Sequence, residues 1–300
     1  MIIVTGANGK LGRATVERLL ERLPAAEIGV SVRDPEKARA LQERGVRVRR
    51  GDFDDPASLA DAFEGASRIL IVSVDRFGDV ALQQHRAAID AAKRAGAGRI
   101  FYTSQVAAGN RPIFYTSEAS PEPVAAFPPM LVHAATEVAL RESGVACTSF
   151  RNGFYAQTAA FLLRSALETG ELRAPQDGPI NYTTIPDLAE AMAVALTDAD
   201  LEDPTLTLTA AEAFDTTGLA ALASELTGRI IRRVVVSDEE YHAGLIAHGT
   251  PEPVAGFFLG LFVAARQGVF TQIDPKLGHL IGRSPTLLRD FLKAEISPAR

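Results

Sequence analysis

A chain of 300 residues with a net charge of −6, 47% hydrophobic and 23% charged, has the composition of an ordinary globular protein, with room for one large domain or two smaller ones. The acidic balance leaves no electrostatic footprint for nucleic acid, and a single cysteine, Cys147, excludes an internal disulfide and fits a reducing compartment. The sequence opens in a strand rather than in a basic and apolar leader, and its longest apolar stretch, 254–265, is twelve residues and too short for a bilayer, so a cytoplasmic protein is expected.

The first twelve residues organise the rest. An apolar run, Ile2 to Val4, reads as a buried parallel strand that breaks at Gly6, and helical periodicity resumes from Leu11 to Leu20. Gly6, Gly9 and Gly12 follow a G-x-x-G-x-x-G spacing rather than the usual G-x-G-x-x-G. Gly6 permits a sharp turn, Gly9 lets the backbone approach a pyrophosphate, and Gly12 lets the helix pack closely on the strand. The helix start offers N–H groups and a positive end to an anion. A glycine-rich turn without a ligand is the plainer alternative.

Glu27 to Val32 gives a second strand ending at Arg33, twenty-one places after Gly12. An acidic residue about twenty positions past the glycines takes a ribose 2′-hydroxyl, whereas an Arg suits a 2′-phosphate. Lys10 and Arg13 sit at the positive end of the first helix, where cations need an anion to offset them. The three cations therefore favour NADP(H) over NAD(H). A helix is expected over 35–43 and a third strand over Val46 to Arg49. Asp52 and Phe53 follow at a strand end, where they would flank an adenine, the carboxylate accepting from its amino group. Asp55-Pro56 marks a helix start.

A fourth strand is expected over Arg68 to Val74, a helix over Val80 to Ala95 and a fifth strand over Gly98 to Ser104. The proline-rich stretch from Pro112 to Pro129, with Tyr115, Glu118 and Glu122, suggests a substrate lid or a partner surface. A helix from Met130 to Glu142 and a sixth strand from Ala146 to Arg151 complete an α/β pattern. This alternation predicts a Rossmann-type doubly wound parallel sheet over residues 1–155.

From residue 156 the pattern changes. Helices are expected over 156–169 and 217–227, with another capped by Asp187 and reaching Leu196. Extended segments are expected over 178–184, 206–209 and 229–236. Ser237 and Glu240 have capping-box spacing, and two or three helices close the chain. Residues 156–300 read as a smaller α+β substrate-binding domain, with segments around 178–200 candidates to pack back on the first.

The segments VTGANGKLG (4–12), Arg33, Gly51-Asp52-Phe53, FYTS (101–104), His133-Ala134-Ala135-Thr136-Glu137, Arg151-Asn152-Gly153-Phe154-Tyr155 and LIGRSPTLLRDFL (280–292) resemble the NmrA-like atypical short-chain dehydrogenases. Within that family the chain looks most like the bacterial NADPH:quinone oxidoreductases of type 2 and the triphenylmethane reductases. The likeness covers most of the chain and loosens from about 200 to 270. It implies NADPH as cofactor, with Gly6, Gly9 and Gly12 and the intervening Ala7, Asn8, Lys10 and Leu11 at the pyrophosphate. It further implies Arg33 at the 2′-phosphate, Asp52 and Phe53 at the adenine, Ser73 and Val74 at the ribose, and Thr103, Ser104 and His133 near the nicotinamide.

Many short-chain dehydrogenases pair a Tyr with a Lys four places on. The residues four places after the five tyrosines here are Val106, Ala119, Ala159, Pro186 and Leu245, so that proton relay is missing. Hydride transfer to a quinone or conjugated dye needs mainly contact between cofactor and acceptor, with the proton coming from water or from Tyr102, His133 or Tyr155. His133 precedes Glu137 by four residues, and that pairing would tune it as a donor. The alternative is a helix-start His that binds ribose or packs. Tyr102, in a strand with alternating side chains, is open to facing the core instead. Asn152 and Tyr155, at a strand end, are placed to touch substrate.

The histidines form no H-E-x-x-H or Cys/His cluster, so no metal is expected. The run Phe257 to Phe262 reads first as core, with an acceptor pocket or a homodimer contact as alternatives. The expected activity is hydride transfer from NADPH to a quinone or similar conjugated acceptor. The competing reading is a non-catalytic NADP(H)-sensing regulatory protein of the NmrA type.

Overall fold

The computed structural model describes residues 1–76, 78–109 and 127–296. In chain order the first half runs β1 (Ile2–Thr5), α1 (Lys10–Leu20), β2 (Ile28–Val32), α2 (Arg39–Gln42), β3 (Arg47–Arg50), α3 (Pro56–Phe63), β4 (Arg68–Ile71), α4 (Gly78–Arg94), β5 (Arg99–Gln105), α5 (Pro128–Glu142) and β6 (Ala146–Asn152). It continues with β7 (Phe154–Tyr155), α6 (Ala156–Thr169), β8 (Glu171–Ala174), β9 (Ile180–Thr183), α7 (Ile185–Thr197), β10 (Thr205–Leu208), β11 (Ala213–Phe214), α8 (Thr216–Thr227) and β12 (Arg232–Val235). Four helices close it, α9 (Asp238–Ala247), α10 (Glu252–Ala265), α11 (Lys276–Ile281) and α12 (Leu288–Ile296), where two or three were expected.

Seven strands form one parallel sheet in the order β10-β6-β5-β4-β1-β2-β3, the Rossmann-type doubly wound arrangement. Strand alternation sorts its side chains onto two faces. Ile2, Val4, Leu70, Phe101 and Phe150 pack with α1, α2, α7 and α11. Ile3, Ile69, Ile71, Ile100 and Tyr102 pack with α3, α4 and α5. Both faces are covered, which is why these strands read as near-continuous apolar runs. Order reverses at β1, with β2 to one side and β4 to the other, and that reversal opens a crevice at the strand C-terminal ends.

Several expectations are corrected by where backbone groups find partners. The fourth strand ends at Ile71 rather than Val74. The next three amides leave the ladder for side chains: Val72 N–H donates to Thr5 Oγ1 at 2.9 Å, Ser73 N–H to Thr103 Oγ1 at 2.8 Å and Val74 N–H to His85 Nε2 at 3.1 Å. The helix expected over 35–43 is a 3-10 turn (Pro35–Ala38) followed by the single turn of α2. Asp55 does cap α3, accepting from Ser58 N–H at 3.3 Å, with Pro56 in the first turn. Asp187 does not cap α7; Thr184 does, accepting the Asp187 N–H at 3.3 Å. The buried Asp187 carboxylate instead accepts from Arg283 Nη2 and from Thr286 N–H, both at 2.7 Å, tying the C-terminal segment to α7.

The seventh strand, β10, comes from the stretch expected to form the smaller domain, and α7 packs on α1. The other strands form two small sheets, β11-β9-β7 and β12-β8, over a second core built with α6, α8, α10 and α12. There Phe127 meets Phe257 at 5.3 Å and Phe270 at 5.7 Å between ring centroids; Leu261 and Phe262 are fully buried core, while Phe257 and Phe258 are partly buried against it. Cys147 is half-buried in β6, and burial pushes its thiol up. Among the described residues no helix is long and apolar enough to cross a membrane. The loop over 112–129, with Tyr115, Glu118 and Glu122, lies outside the described residues up to 126, and its last two residues begin α5.

Candidate active site

The turn after β1 has the geometry its glycines call for. Gly6 holds φ +63, the left-handed region that side chains avoid. Gly12 packs so tightly that a Cβ there would stand 2.5 Å from the Gly6 carbonyl oxygen. Ala7 and Leu11 are buried behind the turn, whereas Gly6, Asn8 and Gly9 are exposed. α1 starts with no acidic residue in its first turn and no side-chain cap at Gly9. Its first N–H groups therefore lack side-chain competitors for an anion.

These glycines form part of a groove of about 420 Å³ at the strand ends. Gly6, Asn8, Gly9, Arg33, Asp52, Phe53, Ser73 and Val74 all line it, so eight residues singled out from the sequence come together in space. Asn8 Nδ2 donates to the Asp34 carbonyl at 2.8 Å and joins the glycine turn to the end of β2. The Asp52 carboxylate accepts from Asp54 N–H at 3.1 Å. Lys10 is exposed but does not line the groove. Arg13 turns aside to the Lys37 carbonyl at 3.0 Å.

The groove's cations are Arg33, Lys37 and Arg76. Lys37 sits four residues after Arg33, a spacing that could have revealed it. Ser31 and Gln84 also line the groove, and Ser31 Oγ and Gln84 Oε1 are buried without a partner among the described residues. Nothing in the sequence marked Gln84, which lies within α4, 72 residues past Gly12.

Beyond the groove, Thr103 Oγ1 receives the Ser73 amide, and Thr103 is fully buried on β5. Ser104 is buried too, and its hydroxyl donates to Glu137 Oε1 at 2.7 Å. Glu137 is held by Arg151, whose Nη2 donates at 2.6 Å and Nε at 3.0 Å. The proposed pairing of His133 with Glu137 is therefore replaced: the carboxylate faces Arg151 and Ser104, while His133 Nδ1 stands 2.7 Å from the Tyr102 hydroxyl. Tyr102 is fully buried and faces α4 and α5, with its hydroxyl also 3.4 Å from His85 Nδ1. Burial lowers His133 to about 4, and burial with the nearby His133 ring lowers His85 to about 3.

Tyr155 is half-buried at the start of α6 and burial pushes its phenol up to about 12. Asn152, 3% exposed at the end of β6, has both amide atoms unpartnered. So does Gln105, its register partner on β5. Unsatisfied buried amides cost free energy unless a ligand uses them. No group of three or more His, Cys, Asp or Glu that could hold a metal occurs among the described residues.

The NmrA-like family model matches residues 1–282. Quinone oxidoreductase 2 of Escherichia coli (strain K12) is 33% identical over 291 residues, 97% of this chain and 96% of that protein. The crystal structure of an NADPH-dependent quinone oxidoreductase from Escherichia coli, complexed with NADPH, superposes with a TM-score of 0.89 at 32% identity, covering 99% of this chain and 100% of the other. The Citrobacter sp. triphenylmethane reductase complexed with NADP(H) superposes at 0.87 with 33% identity, covering 98% and 99%. A family model that matches residues 1–282 and a relative one third identical over nearly the whole length lead to one conclusion: the chain belongs to the NmrA-like family.

Proposed function

We propose that the protein is an NADPH-dependent oxidoreductase that passes hydride to a quinone or a similar flat conjugated acceptor. The observation that carries this reading is a phosphate-binding glycine turn sharing one groove with Arg33 and Lys37, in a chain a third identical throughout to a quinone oxidoreductase. Bound NADPH supplies the hydride; the protein supplies position. Gly9 and the first N–H groups of α1 hold the pyrophosphate, with Gly6 and Gly12 shaping the turn around Ala7, Asn8, Lys10 and Leu11. Arg33 and Lys37 take the 2′-phosphate. Asp52, Phe53 and the Gln84 carbonyl edge the adenine, Ser73 and Val74 the ribose, and Thr103, Ser104 and His133 the nicotinamide end.

Asn152 and Tyr155 are assigned to the acceptor. The unpartnered amide of Asn152 suits a carbonyl oxygen, and the Tyr155 phenol stays protonated at neutral pH. Tyr102, buried behind His133, acts through it. The single cysteine and the net charge of −6 fit a cytoplasmic protein without a nucleic-acid partner.

Purified protein given NADPH or NADH under anaerobic conditions with a panel of quinones and triphenylmethane dyes should show saturable turnover that prefers NADPH. Arg33→Asp should weaken NADPH by roughly 30-fold or more and NADH by less than about threefold, because an Arg–phosphate contact is charge-assisted and Asp repels the phosphate. Equal loss of both would remove Arg33 from the 2′-phosphate. Tight NADPH binding with no turnover on any acceptor would favour the sensor reading instead.

A further inference from the structure

His85 carries no sequence motif, yet it decides the protonation of its neighbours. The backbone N–H of Val74 donates to His85 Nε2 at 3.1 Å, so that nitrogen bears a lone pair. The neutral ring then has its one hydrogen on Nδ1, which donates to Thr136 Oγ1 at 2.9 Å. The Thr136 hydroxyl donates onward to the Val132 carbonyl at 2.8 Å. Towards the same Nδ1, at 3.4 Å, the Tyr102 oxygen can only accept. The phenol also interacts with the Thr136 hydroxyl, which already takes the His85 hydrogen; the short contact open to the phenol hydrogen is His133 Nδ1, at 2.7 Å. A neutral His133 that accepts on Nδ1 carries its own hydrogen on Nε2.

We infer that His133 serves the acceptor site as a neutral Nε2–H hydrogen-bond donor rather than as an imidazolium acid, and that Tyr102 and His85 are the positioning residues that hold it in this tautomer. The acceptor half of the inference rests on the oxidoreductase reading; the tautomer does not.

Among the described residues the surroundings agree. His85 on α4 and Tyr102 on β5 present neutral groups, and burial raises the Tyr102 phenol well above its ordinary range. Tyr155, at the start of α6, is also a neutral phenol at physiological pH. One turn along α5, Glu137 is paired with Arg151 of β6 at 2.6 Å and lies 3.9 Å from Arg141. None of these groups provides an uncompensated negative charge to hold an imidazolium, and burial favours the neutral ring.

The chain also ends on backbone groups, the Val74 amide and the Val132 carbonyl, so it conducts no proton to solvent. Hydride transferred to a quinone forms one new bond to hydrogen and displaces an electron pair onto a quinone oxygen, giving an anion one proton short of the hydroquinone or its keto tautomer. A fixed Nε2–H donor stabilises that oxygen as charge develops, and water supplies the proton that completes the hydroquinone.

Nitrogen-15 spectra of histidine-labelled protein without cofactor read the tautomer directly. The expected result is His133 in the Nε2–H form, with neither His133 nor His85 titrating between about pH 5.5 and 8. Tyr102→Phe keeps the ring and removes the hydrogen given to Nδ1. It should produce a mixture of His133 tautomers and raise the ring's titration point by about one unit or more. On a quinone, kcat of the native protein should change less than about twofold between pH 6 and 8. In Tyr102→Phe, kcat should fall about tenfold with KM for NADPH little changed.

A native His133 in the Nδ1–H form, or one titrating near the ordinary histidine value, overturns the inference even if Tyr102→Phe fails to fold. The predicted tautomer in a protein that turns over no acceptor would instead overturn the acceptor role and leave the hydrogen-bonded chain intact.

Discussion

Gly12→Ala should lose both cofactor affinity and stability. Its Cβ would stand 2.5 Å from the Gly6 carbonyl oxygen, 2.8 Å from the Gly6 carbonyl carbon and 3.1 Å from Ala7 Cα. All three atoms are backbone, so relief requires α1 to move away from the turn. Overpacking of this kind costs about 1–3 kcal/mol of stability. The same displacement pulls the α1 N–H groups from the anion position, and NADPH binding should weaken about a hundredfold.

Gly9→Ala separates the two effects. Gly9 has φ −87 and ψ 167, which alanine adopts, and its Cβ would meet only the Gly6 oxygen at 3.3 Å. Gly9→Ala should therefore melt close to the native protein while binding NADPH about tenfold more weakly, because the methyl occupies the approach of the pyrophosphate. Thermal unfolding and fluorescence titration with NADPH measure both quantities. Native-like NADPH affinity in both variants would remove the turn from the cofactor site.

Glu137→Ala should be the most destabilising change outside the apolar core. The Glu137 side chain is 3% exposed and Arg151 is 24% exposed, and the bidentate pair is completed by the Ser104 hydroxyl. Removing the carboxylate leaves a largely buried guanidinium and a buried hydroxyl without their acceptor, a loss of about 3 kcal/mol. For a chain of this size the melting temperature should fall by roughly 6 °C. Because the triad fastens α5 to the ends of β5 and β6, quinone turnover should fall with it.

The pair itself is expected to add little net stability, since its attraction is set against the desolvation of both ions. The double variant Glu137→Leu with Arg151→Met should therefore melt above Glu137→Ala. If the double variant melted no higher than Glu137→Ala, the uncompensated charge would not be the cause of the loss. Unchanged stability in Glu137→Ala would mean that water satisfies Arg151.

The sheet and the glycine turn were legible in the sequence because both are local. Alternating apolar strands, periodic helices and a Gly6-Gly9-Gly12 spacing are set by neighbours within a few residues, and each strand of the first half was placed within about three residues of its observed ends. Asp52 and Phe53 could be named because they sit at a strand end, where a parallel sheet binds its ligands, and Arg33 by its spacing from the glycines, whereas Ser73 and Val74 were implied only by the family resemblance.

What the linear pattern could not decide was which side chain satisfies which buried group. The amides of Val72, Ser73 and Val74 take side-chain acceptors from β1, β5 and α4, and that shortens β4. Glu137 shares a helix face with His133, yet it turns to Arg151, because a guanidinium across the helix–sheet contact binds a carboxylate more strongly than a neutral ring. β10 joined the large sheet from more than fifty residues past β6, pairing in parallel along its open edge, a partnership that local spacing does not show. The sequence by itself determined the nucleotide-binding frame, where spacing along the chain equals position in space. Only the tertiary structure decided the His85–Tyr102–His133 chain and the pairing of Glu137, because buried hydrogen bonds are settled by partners that the fold brings from distant segments.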